Sequence, residues 1–381
     1  MTTLRYARQT VLPEVGTAGQ VKLGQAKVLC VGAGGLGSPA LMYLAGAGVG
    51  TIGIVEFDRV QLSNLQRQIL YSTHQVDQPK IQCAQSQLQA INPDLHIRTH
   101  GEPLNALNAP ALFEYYDIII DGTDNFASKY LINDAAVKFG KPWVYGAVHG
   151  MDGQVSVFDA DNGPCYRCLY PEPPHTTIAN CADNGVLGPV AGLVGVTQAL
   201  QVIQMIVGHE TFKPLVGQLW LTHTATMDTR QVRIERNPSC PTCSQAKETI
   251  ELVSPVLECE YLPIITIGTA RQLKDARWVD VRETSEWNRD HIEDAFHWPL
   301  SKLLNTSETP LAKSQTLIIY CQQGTRSQHA AAQLMKRGYR NVYSLDGGLN
   351  AWRQTEALTA DTKESKKPDR TPNTNSPSTT H

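Results

Sequence analysis

The sequence runs to 381 residues, more than one ordinary hydrophobic core holds, and predicts two domains. Its 41% apolar and 18% charged content is that of a soluble globular chain. A net charge of −3 argues against bulk nucleic-acid affinity and carries no membrane signal.

Residues 1–26 form a short helical arm with two arginines, Arg5 and Arg8. Its first stretch, MTTLRYARQT, has no apolar signal-peptide core, which predicts a cytoplasmic protein. Nine cysteines, an odd number, then point to metal binding or catalysis rather than a disulfide framework. From Lys27 to Asp58 runs KVLCVGAGGLGSPALMYLAGAGVGTIGIVEFD. Val28–Val31 reads as a buried strand. Ala40, Leu41, Leu44 and Ala45 repeat at helical spacing, and Ile52–Val55 is a second strand. The turn between strand and helix holds Gly32, Gly34 and Gly37 in a G-x-G-x-x-G pattern. Such glycines permit a tight turn, close approach to a pyrophosphate and close helix–strand packing. The helix N-terminus then offers free N–H groups to phosphates. Glu56 and Asp58 follow the loop by about twenty residues, the place of a ribose-binding carboxylate. Alone, this unit indicates a nucleotide and leaves NAD and ATP both open.

Ser63-Asn64-Leu65-Gln66-Arg67-Gln68 follows, then a loop carrying Lys80 and a helix over Pro79–Ala90 ended by Asn92-Pro93. Strands are expected at His96–Thr99 and Asp117–Ile120, the latter entering Asp121-Gly122-Thr123-Asp124-Asn125. A helix (Lys129–Phe139) and strand (Trp143–Ala147) complete an alternating α/β half with a parallel sheet. Short strands at Gln154–Phe158 and Gln218–Thr222 then surround one long apolar stretch, Pro189–Val207. Gln198, Gln201 and Gln204 interrupt it, so it reads as a core helix rather than a membrane span.

Two CxxC pairs, Cys165-Tyr166-Arg167-Cys168 and Cys240-Pro241-Thr242-Cys243, can close a tetrahedral Zn²⁺ site. With all four positions filled by cysteine, the site is structural rather than catalytic. Adenylation, unlike hydride transfer, has to hold Mg²⁺ and stabilise charge moving onto pyrophosphate. Arg8, Arg67, Lys80 and Asp124 are the charges the sequence offers for this. Asp124 stands just past a strand's C-terminal end, where ligands gather in open α/β sheets.

RYARQ, GAGGLGS, LSNLQRQ, QPK, DGTDN and the paired CxxC motifs together resemble the ubiquitin-activating-like adenylyltransferases of the MoeB/ThiF family, over about residues 1–245. The resemblance implies a Rossmann-like adenylation domain with a mixed sheet and a zinc knuckle. It implies that Arg8, Asn64, Arg67 and Lys80 contact ATP phosphates and that Asp124 binds Mg²⁺. Gly32, Gly34, Gly35, Gly37, Glu56, Asp58 and Asn125 complete the expected nucleotide site. Glu56 stands where that family has a ribose-binding Asp, so ribose contact with altered geometry is expected. The implied partner is a ubiquitin-like sulfur carrier, activated at its C-terminal Gly-Gly, and the implied assembly is a homodimer in which Arg8 reaches the other subunit's site. A cysteine matching Cys181, in TIANCAD, forms a covalent link with the carrier in that family.

A linker is expected at 246–257, then a smaller α/β unit with strands at Trp278–Val281 and Leu317–Tyr320. Cys321-Gln322-Gln323-Gly324-Thr325-Arg326-Ser327 leads from a buried strand into the helix Ser327–Lys336. Backbone N–H groups and a helix N-terminus favour a thiolate or persulfide anion at Cys321, and Arg326 adds positive charge. With Asp280-Val281-Arg282-Glu283, Asp290-His291-Ile292 and Asp346-Gly347-Gly348, this segment resembles a small α/β rhodanese domain over about 258–353. Asp280 and Arg282 read as structural. The remainder, 354–381, is rich in Thr, Ser, Pro, Asn and Lys and is expected to be disordered.

The combined expectation is adenylation of the carrier carboxylate, then sulfur transfer from a Cys321 persulfide. Cys321, Cys181, Arg67, Lys80, Asp124 and Arg326 are the catalytic candidates. The persulfide would be loaded by a cysteine desulfurase or another upstream sulfur donor, in molybdopterin, thiamine or tRNA-thiolation chemistry. The rivals are an NAD(P) oxidoreductase with a redox appendage and a non-catalytic scaffold.

Overall fold

A computed structural model describes residues 4–173, 185–254, 264–306 and 310–364. The chain divides into two compact units, Met1–Val256 and Leu257–His381.

In the first unit, α1 (Ala7–Thr10) and α2 (Gly16–Gln25) precede β1 (Lys27–Val31), α3 (Gly37–Ala47) and β2 (Thr51–Val55). Next come α4 (Lys80–Ile91), β3 (His96–His100), α5 (Ala109–Tyr115), β4 (Ile118–Asp121), α6 (Phe126–Phe139) and β5 (Trp143–His149). The unit ends with β6 (Asp152–Phe158), α7 (Tyr166–Leu169), α8 (Gly188–Val207), β7 (Gln218–His223) and β8 (Asp228–Arg233). Eight strands form one sheet in the order β3-β2-β1-β4-β5-β6-β7-β8. The first five are parallel, and β5 to β8 are antiparallel. The chain steps outward from β1 to β3 and then returns to β4, so the order reverses between β1 and β4. In open α/β sheets the ligand crevice lies at such a reversal, beyond the strands' carboxyl ends.

Residue choice follows position in the sheet. Central β4 is buried along its whole length and reads IIID, whereas edge strand β8, DTRQVR, is exposed throughout. Gly48, Gly140 and Gly208 adopt the left-handed conformation that ends α3, α6 and α8. Helix α8 is long and apolar enough to cross a membrane, yet it packs against α3 and the sheet. Two of its glutamines have internal partners. Gln198 donates to the carbonyls of Asp121 and Val144, and Gln201 accepts from the Leu215 N–H.

The second unit begins with β9 (Ile264–Ile265), α9 (Ile267–Ala270), β10 (Arg277–Asp280), α10 (Thr284–Trp287) and β11 (Phe296–His297). It continues with α11 (Leu300–Asn305), β12 (Leu317–Tyr320), α12 (Thr325–Lys336), β13 (Val342–Leu345) and α13 (Gly348–Glu364). Its five strands are all parallel, in the order β11-β10-β12-β13-β9.

Two expectations change. The linker expected from residue 246 is packed at its start: Ile250 is buried beside the cysteine pairs, and its carbonyl accepts from Lys138 Nζ at 2.7 Å. The tail expected to be disordered from residue 354 instead continues α13 to Glu364. Its Gln, Glu, Ala, Leu and Lys content favours helix, and neither Gly nor Pro interrupts it before that point. The rest of the tail lies outside the described residues.

Candidate functional site

The glycine turn joins the carboxyl end of β1 to α3. Gly32 has φ +90°, and a Cβ there would sit 2.9 Å from the Gly122 carbonyl oxygen. At Gly37 an added Cβ would lie 2.0 Å from the Gly32 carbonyl oxygen. These two positions require glycine: Gly32 lies against the DGTDN loop after β4, and Gly37 closes the turn on Gly32 itself. The backbone N–H groups of Gly34, Gly35 and Leu36 make no hydrogen bond among the described residues. They form an anion-binding turn at the head of α3.

Charged and polar side chains converge on this turn. Arg67 lies along Gly35, where a Cβ would meet its Cγ and Cδ at 3.5 Å. Asn64 ends the short 3₁₀ helix Leu62–Asn64, and its carbonyl accepts the N–H groups of Arg67 and Gln68, fixing the turn that aims Arg67. Gln68, 5% exposed, sets its Nε2 3.7 Å from where a Gly34 Cβ would be, and its Oε1 has no partner among the described residues. Lys80, expected in a loop, is the first residue of α4. It is buried and bonds Asp58 Oδ2 at 3.0 Å, while the Asp58 side chain remains 56% exposed. In the facing loop Asp124 is exposed, and Asn125 caps α6 by accepting the Ser128 N–H at 2.9 Å.

Glu56 makes bonds that its sequence did not show. It is 5% exposed, and both its oxygens are taken by backbone. Oε2 accepts from Ala33 N at 3.0 Å, and Oε1 accepts from Phe57 N and Asp58 N at 2.9 and 3.0 Å. Three backbone donors thus hold this carboxylate, while Asp58, two residues on, is exposed and paired with Lys80. Burial, followed by the charges of Asp121 and Glu56, pushes the Cys30 thiol far up.

Lys129 went unnoticed in the sequence. It is 5% exposed, pairs with the fully buried Asp121, and donates to the carbonyls of Thr123 and Gly146. It therefore holds the loop that carries Asp124. A lysine inside a helix gives no sign of this until the fold buries it. Arg8 is exposed and lies toward the other end of α3. Its neighbour Tyr6 packs under Gly48 at the α3 C-terminus and bonds Asn92 at the end of α4. The single chain thus does not bring Arg8 to its own glycine turn. Cys181 lies outside the described residues.

Away from the turn, Cys165, Cys168, Cys240 and Cys243 place their sulfurs within 4.8 Å of one another. Neighbouring separations are 3.5 Å (Cys165–Cys240), 3.5 Å (Cys168–Cys243) and 3.9 Å (Cys165–Cys168). Four thiolates around Zn²⁺ at ~2.3 Å would stand ~3.8 Å apart, so the donor set and its spacing both fit that ion. Burial pushes the Cys165 thiol far up and Cys243 up to about 11. Cys240 is also raised by burial, but the N–H groups of Thr242 and Cys243 outweigh this and lower it. Helix α6 joins the two knuckles. Asp134 takes Arg167 through two bonds of 2.8 and 2.7 Å and accepts Thr242 Oγ1 at 3.2 Å. Asn133 Oδ1 accepts the Tyr166 N–H at 2.8 Å.

In the second unit Cys321 follows the wholly buried β12 and is 2% exposed. The Gly324 N–H donates to its Sγ at 3.2 Å. Gly324, at φ +106°, turns the loop into α12, and Ser327 Oγ returns to the Gly324 carbonyl at 2.7 Å. Arg326 does not hold a free charge over the loop: Glu286 pairs both its terminal nitrogens at 2.6 and 2.7 Å. Asp280 and Arg282 form a buried ion pair at 2.8 Å, and Arg282 also reaches Gln322 Oε1 at 3.0 Å. Arg282 thus braces the loop through Gln322, and Arg326 ties the start of α12 to Glu286.

The ThiF family profile matches residues 6–242, and a rhodanese-like domain matches residues 269–355. Over 367 residues the chain is 41% identical to the probable adenylyltransferase/sulfurtransferase MoeZ of Mycobacterium tuberculosis, covering 91% of this chain and 92% of that protein. It is 38% identical to the adenylyltransferase and sulfurtransferase uba4 of Ogataea parapolymorpha, covering 92% of this chain and 95% of that one. The sulfur carrier protein adenylyltransferase of Thermus thermophilus is 45% identical over 65% of this chain and 93% of its own. In fold, the chain is similar to the crystal structure of E. coli MccB with ATP, at TM-score 0.56 and 20% identity over 63% of this chain and 75% of that one. These relatives favour group transfer over the nicotinamide reading. The chain belongs to the ThiF family and joins it to a rhodanese-like domain, the pairing of an adenylyltransferase with a sulfurtransferase.

Proposed function

We propose that the first unit uses ATP to adenylate the C-terminal Gly-Gly carboxylate of a ubiquitin-like sulfur-carrier protein, and that Cys321 then delivers sulfur to it. The observation that carries this reading is the meeting of Arg67, the Lys80–Asp58 pair and the DGTDN loop near a glycine turn whose N–H groups have no partner among the described residues.

The turn's N–H groups receive phosphate oxygens, and Arg67 and Lys80 offset the charge that grows on the leaving pyrophosphate. Asp58 accepts ribose hydroxyls. Asp124 would hold Mg²⁺, which as a Lewis acid would withdraw charge from phosphate oxygens. The carrier carboxylate attacks the α-phosphorus, and pyrophosphate leaves with the electron pair of the broken P–O bond. The terminal sulfur of a Cys321 persulfide next attacks the acyl-adenylate carbonyl. AMP departs, leaving an acyl-disulfide between carrier and Cys321. A second thiol, Cys181 or an external one, attacks the Cys321 sulfur. It becomes the new disulfide partner of Cys321 and releases the carrier thiocarboxylate.

The four cysteines would hold a structural Zn²⁺ that clamps residues 165–168 to 240–243. A homodimer in which Arg8 crosses to the partner accords with its place at the far end of α3. A cysteine desulfurase is the proposed sulfur donor, and the cytoplasm the proposed compartment. Carrier-dependent exchange of pyrophosphate into ATP tests the first half. Exchange that ignores the carrier, or needs a nicotinamide nucleotide, would overturn it.

A further inference from the structure

We infer that Asn350 is a positioning residue for the persulfide loop: through Gln322 it fastens the loop to the head of α13, which leaves the N–H groups of Gln322 and Gln323 for the sulfur. The inference rests on sulfur transfer by Cys321 as proposed above and adds the groups that hold the loop in shape.

The loop after β12 is attached along one side. The carbonyls of Cys321 and Gln322 accept from Leu349 N at 2.8 Å and Asn350 N at 3.1 Å, in the first turn of α13. A helix has no internal partners for these N–H groups, and here the loop takes them up. The approach is close enough to demand glycine. At Gly348, φ +57°, a Cβ would sit 2.4 Å from the Cys321 carbonyl oxygen. In a planar trans peptide the N–H points opposite to the C=O. With both carbonyls on α13, the N–H groups of Gln322 and Gln323 therefore point away from it, and they make no hydrogen bond among the described residues. With the Gly324 N–H, which already donates to Cys321 Sγ, they give one turn three donors for an added, negatively charged sulfur.

Side chains repeat the attachment. Gln322 Nε2 donates to Asn350 Oδ1 at 2.6 Å, and Gln322 Oε1 accepts from Arg282 Nη1 at 3.0 Å. Arg282 is itself anchored by its buried pair with Asp280 and by the Asp290 carbonyl at 2.6 Å. Both ends of the Gln322 amide are thus fixed, and Asn350 holds Gln322 by backbone and side chain at once. Asn350 acts through Gln322 rather than on the sulfur.

The loading equilibrium of the full chain tests this. The Cys321 thiolate attacks the outer sulfur of thiosulfate, the S–S bond breaks, and sulfite leaves with its electron pair. At a fixed ratio of thiosulfate to sulfite, intact mass gives the ratio of sulfur-loaded to unloaded chain, with Cys321→Ala as background. Asn350→Leu keeps the side-chain size and removes the bond to Gln322. It is expected to lower the loading ratio about fivefold, the change that one net hydrogen bond makes. Gln322→Met, which also loses the Arg282 contact, is expected to lower it at least as far and reports independently should Asn350→Leu not fold. The double variant is expected to match Gln322→Met alone, because the two changes remove one shared attachment. A purely structural role would lower the melting temperature and leave the loading ratio at the wild-type value, and that result in either folded variant would overturn the inference. Losses that multiply in the double variant would overturn it as well. A wild type that gains no sulfur would instead refute the sulfur-transfer reading on which it rests.

Discussion

Lys129→Met tests whether the buried pair behind the DGTDN loop organises the site. The Lys129 and Asp121 side chains are 6% and 0% exposed, so methionine would leave Asp121 as a buried charge without its cation. Removing one partner of a buried pair costs about 3–5 kcal/mol. Asp121 keeps two donors from Thr123, the N–H at 3.0 Å and the hydroxyl at 2.6 Å. That places the loss near the lower end, about 3 kcal/mol. In a unit of this size it corresponds to a fall in melting temperature of about 6–12 °C. Scanning calorimetry of the full chain measures the shift. Asp121→Asn added to Lys129→Met is expected to recover part of it, because the stranded charge is gone. Pyrophosphate exchange is expected to fall too, since the lysine also holds the Thr123 and Gly146 carbonyls. A loss below about 1 kcal/mol, the value of an exposed ion pair, would refute the reasoning.

Three further outcomes are expected. Metal analysis should find about one zinc ion per chain, lost in Cys240→Ser, and stripping the ion with a chelator should lower the melting temperature of the first unit. Gly37→Ala, whose Cβ would sit 2.0 Å from the Gly32 carbonyl oxygen, should abolish ATP binding in titration calorimetry while leaving thiosulfate-to-cyanide sulfur transfer by Cys321 intact. The hydrogen bonds from Arg326 hold the Glu286 carboxyl below its usual range. A carboxylate lowered on folding stabilises fully above its unfolded pKa and loses that contribution as pH falls through the folded value. The second unit should therefore lose stability on acidification through that window, and Glu286→Gln should flatten the loss in acid denaturation profiles.

Much of the nucleotide site was legible because its signals are local. A glycine needed at φ +90° or against a neighbouring carbonyl leaves a glycine in the sequence, and fully buried strands such as IIID leave continuous apolar runs. The paired CxxC motifs and the Cys321 loop are local in the same sense. What stayed hidden depends on where a side chain turns after the chain folds. Glu56 and Asp58 are both acids at a strand end, and only the bonds to Ala33, Phe57 and Asp58 N–H separate the internal acceptor from the exposed one. Lys129 and Asp134 look like ordinary helix charges. The fold makes one the counter-ion of Asp121 and the other the tie between two cysteine knuckles. Arg326 reads as free positive charge, because its partner Glu286 stands forty residues away in sequence. Gln198 and Gln201 look like breaks in an apolar run and instead bond the backbone of β4, β5 and Leu215, which no helical pattern reveals.

The division of labour between the two units is tested most directly by Cys321→Ala, with exchange and sulfur transfer measured on the same preparation. Carrier-dependent pyrophosphate exchange is expected to continue at the wild-type rate. Mass measurement of the carrier C-terminus is expected to show no oxygen-to-sulfur gain. Loss of both activities together, or a carrier thiocarboxylate formed without Cys321, would contradict the account.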